Sequence, residues 1–215
     1  KETIHLINKV AEKINADERV EGRLKVAFPA NYNVTLAEKL IPAADLSEQI
    51  SLAGMEASGT GNMKFALNGA LTIGTDDGAN VEIRKLVGDK HFFLFGMDEP
   101  QVAALGAQGY VPGDYYQKNE NLKAAIDLIL SGYFSPCDQH MIDQVIYSLL
   151  NTDRFMALAD FDSYIAAQAA VETKYADQDA WTRSAILNVA RTGYFSSDRS
   201  IEDYLERIWH TGPLK

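Results

Sequence analysis

The chain has 215 residues, of which 47% are hydrophobic, so it is long enough to bury a sizeable core. Its formal net charge of −10 argues against nucleic acid and anionic membranes as partners. Cys137 is the only cysteine, so no internal disulfide can form, and a reducing cytoplasmic setting fits. No apolar run approaches the roughly 20 residues that span a bilayer, and no signal peptide stands at the start.

The first half of the chain alternates helical and strand patterns. In chain order these patterns predict a helix over 2–16, a strand over 24–28, a helical turn over 36–40, a short strand near 48–51, a helix over 62–68, a strand over 70–73, a helix near 78–87 and a strand over 92–95. Short strands separated by helices predict an α/β fold, with a Rossmann-like parallel sheet and helices on both faces.

The second half is predicted to be helical. Apolar residues recur at i, i+3, i+4 and i+7 in four stretches, which cover residues 122–130, 142–150, 185–190 and 204–209. No internal repeat, low-complexity linker or block of like charge interrupts the chain. We therefore expect residues 1–215 to form a single structural unit.

One decapeptide combines two glycines, two hydroxyls, a carboxylate and a lysine: Glu56-Ala57-Ser58-Gly59-Thr60-Gly61-Asn62-Met63-Lys64-Phe65. We predict that the helix over 62–68 is capped by Ser58 or Thr60 and ends at Gly69. A helix N-terminus offers unpaired N–H groups and about half a positive charge, which together bind phosphate. Side chains lean toward the start of their helix, so Lys64 would reach the same anion.

Pyridoxal phosphate is one ligand that needs both a phosphate cradle and an amine, because its aldehyde forms a Schiff base with lysine. A capped helix with a tight glycine turn and an exposed lysine would give the same pattern. Two other glycine-loop motifs do not fit. Lys64 stands where a dinucleotide fingerprint needs its last glycine, and Thr60 stands where a P-loop needs its lysine.

Long ungapped stretches of the chain resemble the C-terminal domain of the α-glucan phosphorylases, the family of glycogen, starch and maltodextrin phosphorylases. The resemblance covers nearly the whole sequence and is carried by residues 32–34, 37–50, 56–65, 67–75, 77–82, 92–96, 132–136, 181–183 and 195–199. It implies a partial C-terminal domain of the two-domain glycosyltransferase-type (GT-B) fold.

The resemblance also implies roles for individual residues. Lys64 matches the lysine that holds pyridoxal phosphate as a Schiff base, and Thr60 and Gly61 match positions whose N–H groups hold its phosphate. Tyr32 matches an aromatic residue that packs on the pyridine ring, and Glu48 would hydrogen-bond near that ring. The segment that matches the glucosyl-binding positions is Glu56, Ala57, Ser58 and Gly59.

The activity that the resemblance implies is phosphorolysis of α-1,4-glucan or maltodextrin to glucose 1-phosphate, with the phosphate of the cofactor as the working group. The parent enzyme would be a cytoplasmic homodimer. Two other functions stay open, a cofactor-free sugar-nucleotide glycosyltransferase and a non-catalytic glucan-binding module. Neither would need Lys64.

The chain opens on a helical pattern without an initiator Met or a cap, so we expect a C-terminal piece of a longer enzyme. The phosphate-binding arginine and lysine of the family would precede Lys1, and the piece alone is expected to be inactive. Asp76 and Met55 depart from the residues usual in the family. We interpret Asp76-Asp77-Gly78 as a turn rather than as acid/base machinery. The four histidines lack metal-ligand spacing, and no metal site is predicted.

Overall fold

The computed structural model describes residues 1–137 and 139–212. The described chain divides into two compact units, and each unit is built from two segments of sequence. The first unit comprises Lys1–Val34 and Ala103–Phe161, and the second comprises Thr35–Val102 and the described part of the chain from Asp162 onward. The assignment of residues 1–215 to a single structural unit stays a prediction.

The first unit is helical. Its α-helices are α1 (Glu2–Ala16), α6 (Pro112–Lys118), α7 (Glu120–Leu130) and α8 (Gln139–Asn151), with most of α5 (Glu99–Gln108) and the start of α9 (Ala157–Ala176). A short 3₁₀ turn spans Glu18–Val20. Five buried side chains from three of these helices form its core: Leu122, Ile126, Ile142, Ile146 and Leu158.

The second unit contains a parallel three-stranded sheet in the order β1 (Leu46–Gln49), β2 (Leu71–Gly74) and β3 (Phe92–Leu94). In register, Leu46 lies opposite Leu71, and Thr72 lies opposite Phe92. All four residues of the central strand β2 are buried, as expected for a parallel strand that is covered on both faces. The predicted α/β class and parallel sheet are therefore confirmed.

Helices join and flank these strands. The crossovers are α3 (Gly61–Leu67), from β1 to β2, and α4 (Ala79–Val87), from β2 to β3; the other α-helices are α2 (Val34–Leu40), α10 (Gln178–Arg191) and α11 (Ser197–Tyr204). Leu71 and Ile73 point from β2 into a cluster with Val171 of α9 and Trp181 of α10. Ala66 of α3 and Ile83 of α4 share a separate buried cluster.

Short irregular helices complete the second unit. Three are 3₁₀ turns, at Ile41–Ala43, Asp89–His91 and Thr192–Phe195, and a π-helical turn spans Leu205–Trp209. After β3, every regular element in the described residues is helical, which confirms the predicted helical second half. Among those residues, no helix is both long and apolar enough to cross a membrane.

The strand predicted over residues 24–28 is wrong, because this segment has no regular secondary structure. Leu24 and Phe28 are 52% and 45% exposed. The backbone N–H and C=O of Val26 bond to the side-chain amide of Asn15, at 2.9 and 2.8 Å, and not to a neighbouring strand. The apolar run is therefore anchored to α1 by a side chain, an arrangement that strand patterning does not reveal.

Candidate functional site

The decapeptide Glu56–Phe65 lies beyond the carboxyl end of β1 and runs into α3. The turn that follows β2, residues 75–78, lies at the same edge because the two strands are parallel. In open α/β sheets, ligands bind in the crevice outside the carboxyl ends of the strands. The predicted site residues of the second unit thus occupy the edge where this fold places its ligands.

The start of α3 differs from the sequence prediction in its capping. Thr60 occupies the N-cap position, but its hydroxyl makes no capping bond. Ser58 Oγ donates to the carbonyl of Gly59 instead, at 3.3 Å. The N–H of Met63 donates to Oδ1 of Asn62 at 2.9 Å, so an amide side chain inside the first turn takes the place of the expected hydroxyl cap. The predicted helix end is confirmed, because Gly69 follows the C-cap residue with a φ of +93°.

The loop before α3 presents a row of unpaired backbone donors. Within residues 1–137 and 139–212, the backbone N–H groups from Ala57 to Asn62 donate no hydrogen bond. Ala57, Ser58 and Thr60 are exposed to solvent. A Cβ added at Gly61 would have no atom within 4 Å, so the space beside this residue is open. Consecutive free N–H groups that end in a helix N-terminus can bind phosphate oxygens or sugar hydroxyls.

Lys64 lies one turn into α3 and is exposed. Its N–H donates to the carbonyl of Thr60 at 3.2 Å, which sets the lysine one helical turn beyond the free donors. In the part of the chain that the structure describes, its Nζ makes no ion pair or hydrogen bond. An uncommitted amine next to free N–H groups meets the chemical needs of pyridoxal phosphate, so the described residues fit that cofactor.

Glu48, which was expected to hydrogen-bond near the cofactor ring, binds two side chains of α9. Its carboxylate accepts from the hydroxyl of Tyr164, at 3.0 and 3.1 Å, and from Nε2 of Gln168 at 2.6 Å. Burial, and then the bond to Glu48, raises the pKa of Tyr164. Glu48 therefore joins β1 to α9, while its role toward a cofactor ring stays a prediction. Tyr32 belongs to the first unit and is 65% exposed, and its predicted contact with the ring also stays a prediction.

The turn after β2 holds the decapeptide in place, a function that sequence patterning did not reveal. Oδ2 of Asp77 accepts from the N–H of Met55 at 3.2 Å and from that of Glu56 at 2.7 Å. The N–H of Ala79 donates to the carbonyl of Ser58 at 2.7 Å. The Asp-Gly pair in the sequence predicts the turn, but not that its carboxylate would bind a loop 21 residues earlier.

Two asparagines tie the same elements together deeper in the fold. The side chain of Asn62 donates to Oδ1 of Asn80 at 3.0 Å, and Asn80 donates in turn to the carbonyl of Thr75 at 3.1 Å. Both asparagines are buried. Because their buried amides are hydrogen-bonded, they fix the start of α3 against the start of α4.

Asp76 has a separate structural role. Its carboxylate pairs with Arg84 at 3.2 Å, and Arg84 also pairs with Asp89 at 2.7 Å. The pKa of Arg84 is raised by Asp89 first and by Asp76 to a smaller extent. Asp76 and Asp77 therefore bind different partners, in agreement with the interpretation of this pair as turn residues.

A cation that the sequence did not single out lies beside the decapeptide. A cleft of about 340 Å³ is lined by Ala57 and Ser58 of the decapeptide and by Arg199. The guanidinium of Arg199 pairs with Asp203 at 2.5 Å and lies 3.8 Å from the ring centroid of Tyr194. Among the described residues, no group of three or more His, Cys, Asp or Glu side chains could hold a metal ion.

Comparison with known proteins identifies the family. The family model for carbohydrate phosphorylases matches residues 1–211. The chain belongs to the carbohydrate phosphorylase family. The sequence is 57% identical over all 215 residues to a protein named glycogen phosphorylase from Pasteurella multocida, of which it covers 26%.

Two further relatives come from distant organisms. The sequence is 54% identical over 211 residues to glycogen phosphorylase of Synechocystis, with 98% of this chain and 25% of that protein covered. It is 50% identical over 213 residues to the brain form of glycogen phosphorylase from sheep, with 99% of this chain and 25% of that protein covered. The chain thus spans about a quarter of the length of these relatives, and the expected resemblance to α-glucan phosphorylases is confirmed.

Proposed function

We propose that this chain forms the cofactor-binding part of an enzyme that phosphorolyses α-1,4-glucan or maltodextrin to glucose 1-phosphate. The observation that carries the proposal is the position of the decapeptide. In a chain of the carbohydrate phosphorylase family, it places an uncommitted lysine beside six free N–H groups at the carboxyl edge of a parallel sheet. Relatives at 50–57% identity are named glycogen phosphorylases, which supports glucan and phosphate as the substrates.

The cofactor in this proposal is pyridoxal phosphate. Lys64 would hold it covalently through Nζ, and the backbone N–H groups of Thr60 and Gly61 would bind its phosphate. Tyr32 and Glu48 would contact its ring. When bound, the group supplies a phosphate that can exchange a proton with the substrate phosphate or support it electrostatically.

The four residues that precede Thr60 would hold the glucosyl unit. Glu56 is exposed, and its carboxylate can accept hydrogen bonds from sugar hydroxyls. The free N–H groups of Ala57, Ser58 and Gly59 can donate to sugar oxygens. This division gives the two halves of one loop two different ligands, the sugar before Thr60 and the cofactor phosphate from Thr60 onward.

A cofactor-free glycosyltransferase and a non-catalytic glucan-binding module are not favoured, because the family and its named relatives are phosphorylases. Two phosphates that approach each other also need cations. Beside the decapeptide, the described residues provide Lys64, which the cofactor would occupy, and Arg199, which is paired with Asp203. That residues 1–215 alone are inactive therefore stays a prediction.

Covalent trapping of the cofactor tests the proposal. The longer enzyme of which this chain is expected to be a part, called here the complete protein, is loaded with pyridoxal phosphate and reduced with borohydride. The labelled peptide is then mapped by mass spectrometry. We expect one labelled site, at Lys64, and formation of glucose 1-phosphate from maltodextrin and phosphate. Lys64→Arg keeps the charge but removes the primary amine, so it should lose the label and reduce turnover by at least about 100-fold.

Lys85→Arg is the matched control, because Lys85 is an exposed helical lysine on α4. It should retain both the label and the activity. Labelling that persists in Lys64→Arg, or wild-type protein that takes up no pyridoxal phosphate, would refute the cofactor assignment. Glucan binding without any cofactor absorbance would favour the binding module instead.

A further inference from the structure

The position of the glucosyl-binding segment Glu56–Gly59 depends on one carboxylate outside it. Asp77 uses a single oxygen, Oδ2, to accept from the N–H groups of both Met55 and Glu56. Hydrogen bonds from N–H groups to an ionised carboxylate are stronger than those between neutral groups. Glu56, Ala57 and Ser58 are exposed and Gly59 is half-buried, and the segment lies outside the helices and strands, so few other contacts hold it.

These two bonds decide which way the loop presents its donors. The N–H of Glu56 donates to Asp77, and the N–H of Met55 is shared between Asp77, at 3.2 Å, and the carbonyl of Leu52, at 3.0 Å. The N–H groups of Ala57, Ser58 and Gly59 have no acceptor among the described residues. The carbonyl of Ser58 is held separately by the N–H of Ala79 at 2.7 Å. The loop is thus fixed at its start by Asp77 and at its middle by Ala79, and the three free donors lie between and just after these points.

The cofactor-binding half of the loop has a support of its own. The start of α3 is tied to α4 through the bond from the side chain of Asn62 to that of Asn80 at 3.0 Å, which does not involve the Asp77 carboxylate. The same amide of Asn62 reaches the carbonyl of Ser58 at a longer 3.4 Å. Removal of the Asp77 carboxylate should therefore disturb the residues before Thr60 more than Thr60, Gly61 and Lys64. This separation makes the two halves of the loop distinguishable by experiment.

We propose that Asp77 is a positioning residue for the glucosyl subsite: it orients Glu56 and the free N–H groups of residues 57–59 toward the sugar without touching the sugar itself. The inference rests on the proposed function, since it assumes that this segment binds the glucosyl unit. Asp77 donates no proton to the reaction. Its contribution is geometric, because an oriented donor set loses less conformational freedom when the sugar binds.

The test compares Asp77→Ala and Asp77→Asn with wild type in the complete protein, assayed as glucose 1-phosphate plus maltodextrin. We expect Asp77→Ala to raise the KM for glucose 1-phosphate at least about tenfold, the effect of losing hydrogen bonds to a charged acceptor. Asp77→Asn keeps an acceptor oxygen without the charge, so its KM should lie between those of wild type and Asp77→Ala. The KM for maltodextrin and the borohydride-trapped cofactor at Lys64 should stay at wild-type values.

Asp76→Ala is the matched control, because this neighbouring carboxylate binds Arg84 and not the loop. It should leave the KM for glucose 1-phosphate unchanged. If Asp77→Ala does not fold, the intermediate KM of Asp77→Asn carries the test. A wild-type KM in a folded Asp77→Ala, a wild-type KM in Asp77→Asn when the alanine variant does not fold, or an equal loss of cofactor and substrate binding would overturn the proposal. Wild-type protein that forms no glucan from glucose 1-phosphate would instead refute the proposed function.

Discussion

Gly78 shows how closely two loops approach at the sheet edge. Its φ is +49°, and a Cβ added to it would lie 2.5 Å from the carbonyl oxygen of Ser58 and 3.0 Å from the carbon of that group. The carbonyl cannot move freely, because it accepts from the N–H of Ala79 at 2.7 Å. Glycine at this position therefore permits both the backbone conformation and the contact with the decapeptide.

Gly78→Ala should destabilise the protein and displace the glucosyl-binding segment. The backbone conformation, with a φ of +49° and a ψ of −142°, costs about 1–3 kcal/mol for a residue with a Cβ, and the clash adds about 1–3 kcal/mol, so we expect a loss of about 2–6 kcal/mol in the free energy of unfolding. Urea denaturation measures this loss. Because the clash pushes directly on Ser58, the KM for glucose 1-phosphate should rise as well.

Gly88→Ala separates the conformational strain from the clash. Gly88 has a φ of +89°, and a Cβ added to it meets nothing within 4 Å. This variant should lose only the conformational part, about 1–3 kcal/mol, and keep the wild-type KM. Equal losses of stability in the two variants would show that the contact with Ser58 does not constrain the loop.

At this scale the sequence predicted local backbone geometry better than the hydrogen bonds that hold the loop. The helix end at Gly69 was predicted from local sequence and is confirmed, while the cofactor role of Lys64, which rests on the resemblance, stays a prediction. The role of Asp77 could not be found, since its carboxylate binds N–H groups 21 and 22 residues earlier. A hydroxyl cap at Ser58 or Thr60 was predicted and is absent, because Asn62 accepts from the N–H of Met63 instead.

Among the elements, strand prediction succeeded only where a run of apolar residues had partners in the sheet. The runs at 70–73 and 92–95 became β2 and β3, which pair in parallel. The similar run at 24–28 did not, since Asn15 satisfies the backbone of Val26 and no strand lies beside it in the described residues. A run of apolar residues indicates that a segment can be buried, whereas a strand also needs a neighbouring strand to hydrogen-bond with. The local sequence does not show whether such a neighbour exists.

His91 links the entry of β3 to α10. Its Nδ1 lies 2.8 Å from Oγ of Ser184, which donates to the carbonyl of Ala180. Burial is the largest cause of its lowered pKa, followed by Lys174, Arg191 and Lys90. The folded state therefore disfavours the charged imidazolium, whose ordinary pKa is 6.5. The contribution of His91 to stability is fully present above pH 6.5 and is lost between that pH and the lowered pKa of the folded state.

We expect the free energy of unfolding to fall below pH 6.5 more steeply in wild type than in His91→Gln, in which an uncharged amide replaces the imidazole. Urea denaturation between pH 5 and 8, in roughly half-unit steps, measures the two profiles. His140→Gln, an exposed histidine on α8, controls for the general effect of removing an imidazole. Parallel profiles for wild type and His91→Gln would contradict the assignment of this pH dependence to His91.

The protein has two compact units that share helices, and this arrangement determines whether they unfold together. Each has its own buried cluster, and the chain passes between them three times, at residues 34–35, 102–103 and 161–162. All three passages fall inside helices: the first lies between the first two residues of α2, and the others lie within α5 and α9. Sequence patterning did not reveal the division, because no change in composition and no linker marks it.

We expect the 215-residue chain to unfold in one cooperative transition, because unfolding either unit would break a helix that the other contains. Ile73 and Ile142 are fully buried, one in each unit, so each Ile→Ala variant should lose about 2–5 kcal/mol. Both tryptophans, Trp181 and Trp209, belong to the second unit, so fluorescence reports on that unit while circular dichroism reports on both. If the chain is one cooperative unit, Ile142→Ala will shift the fluorescence transition as far as the dichroism transition.

Ile186→Ala serves as the control, because Ile186 is 62% exposed on α10 and its truncation should change the midpoint little. Independent units would give a different result for Ile142→Ala: the fluorescence transition would stay at its wild-type midpoint while circular dichroism showed an earlier, separate step. Since α9 alone spans 20 residues across the boundary, such a step would require this helix to fray at residues 161–162 while its remainder stayed folded. Hydrogen exchange along α9 would then show low protection before Asp162 and high protection after it.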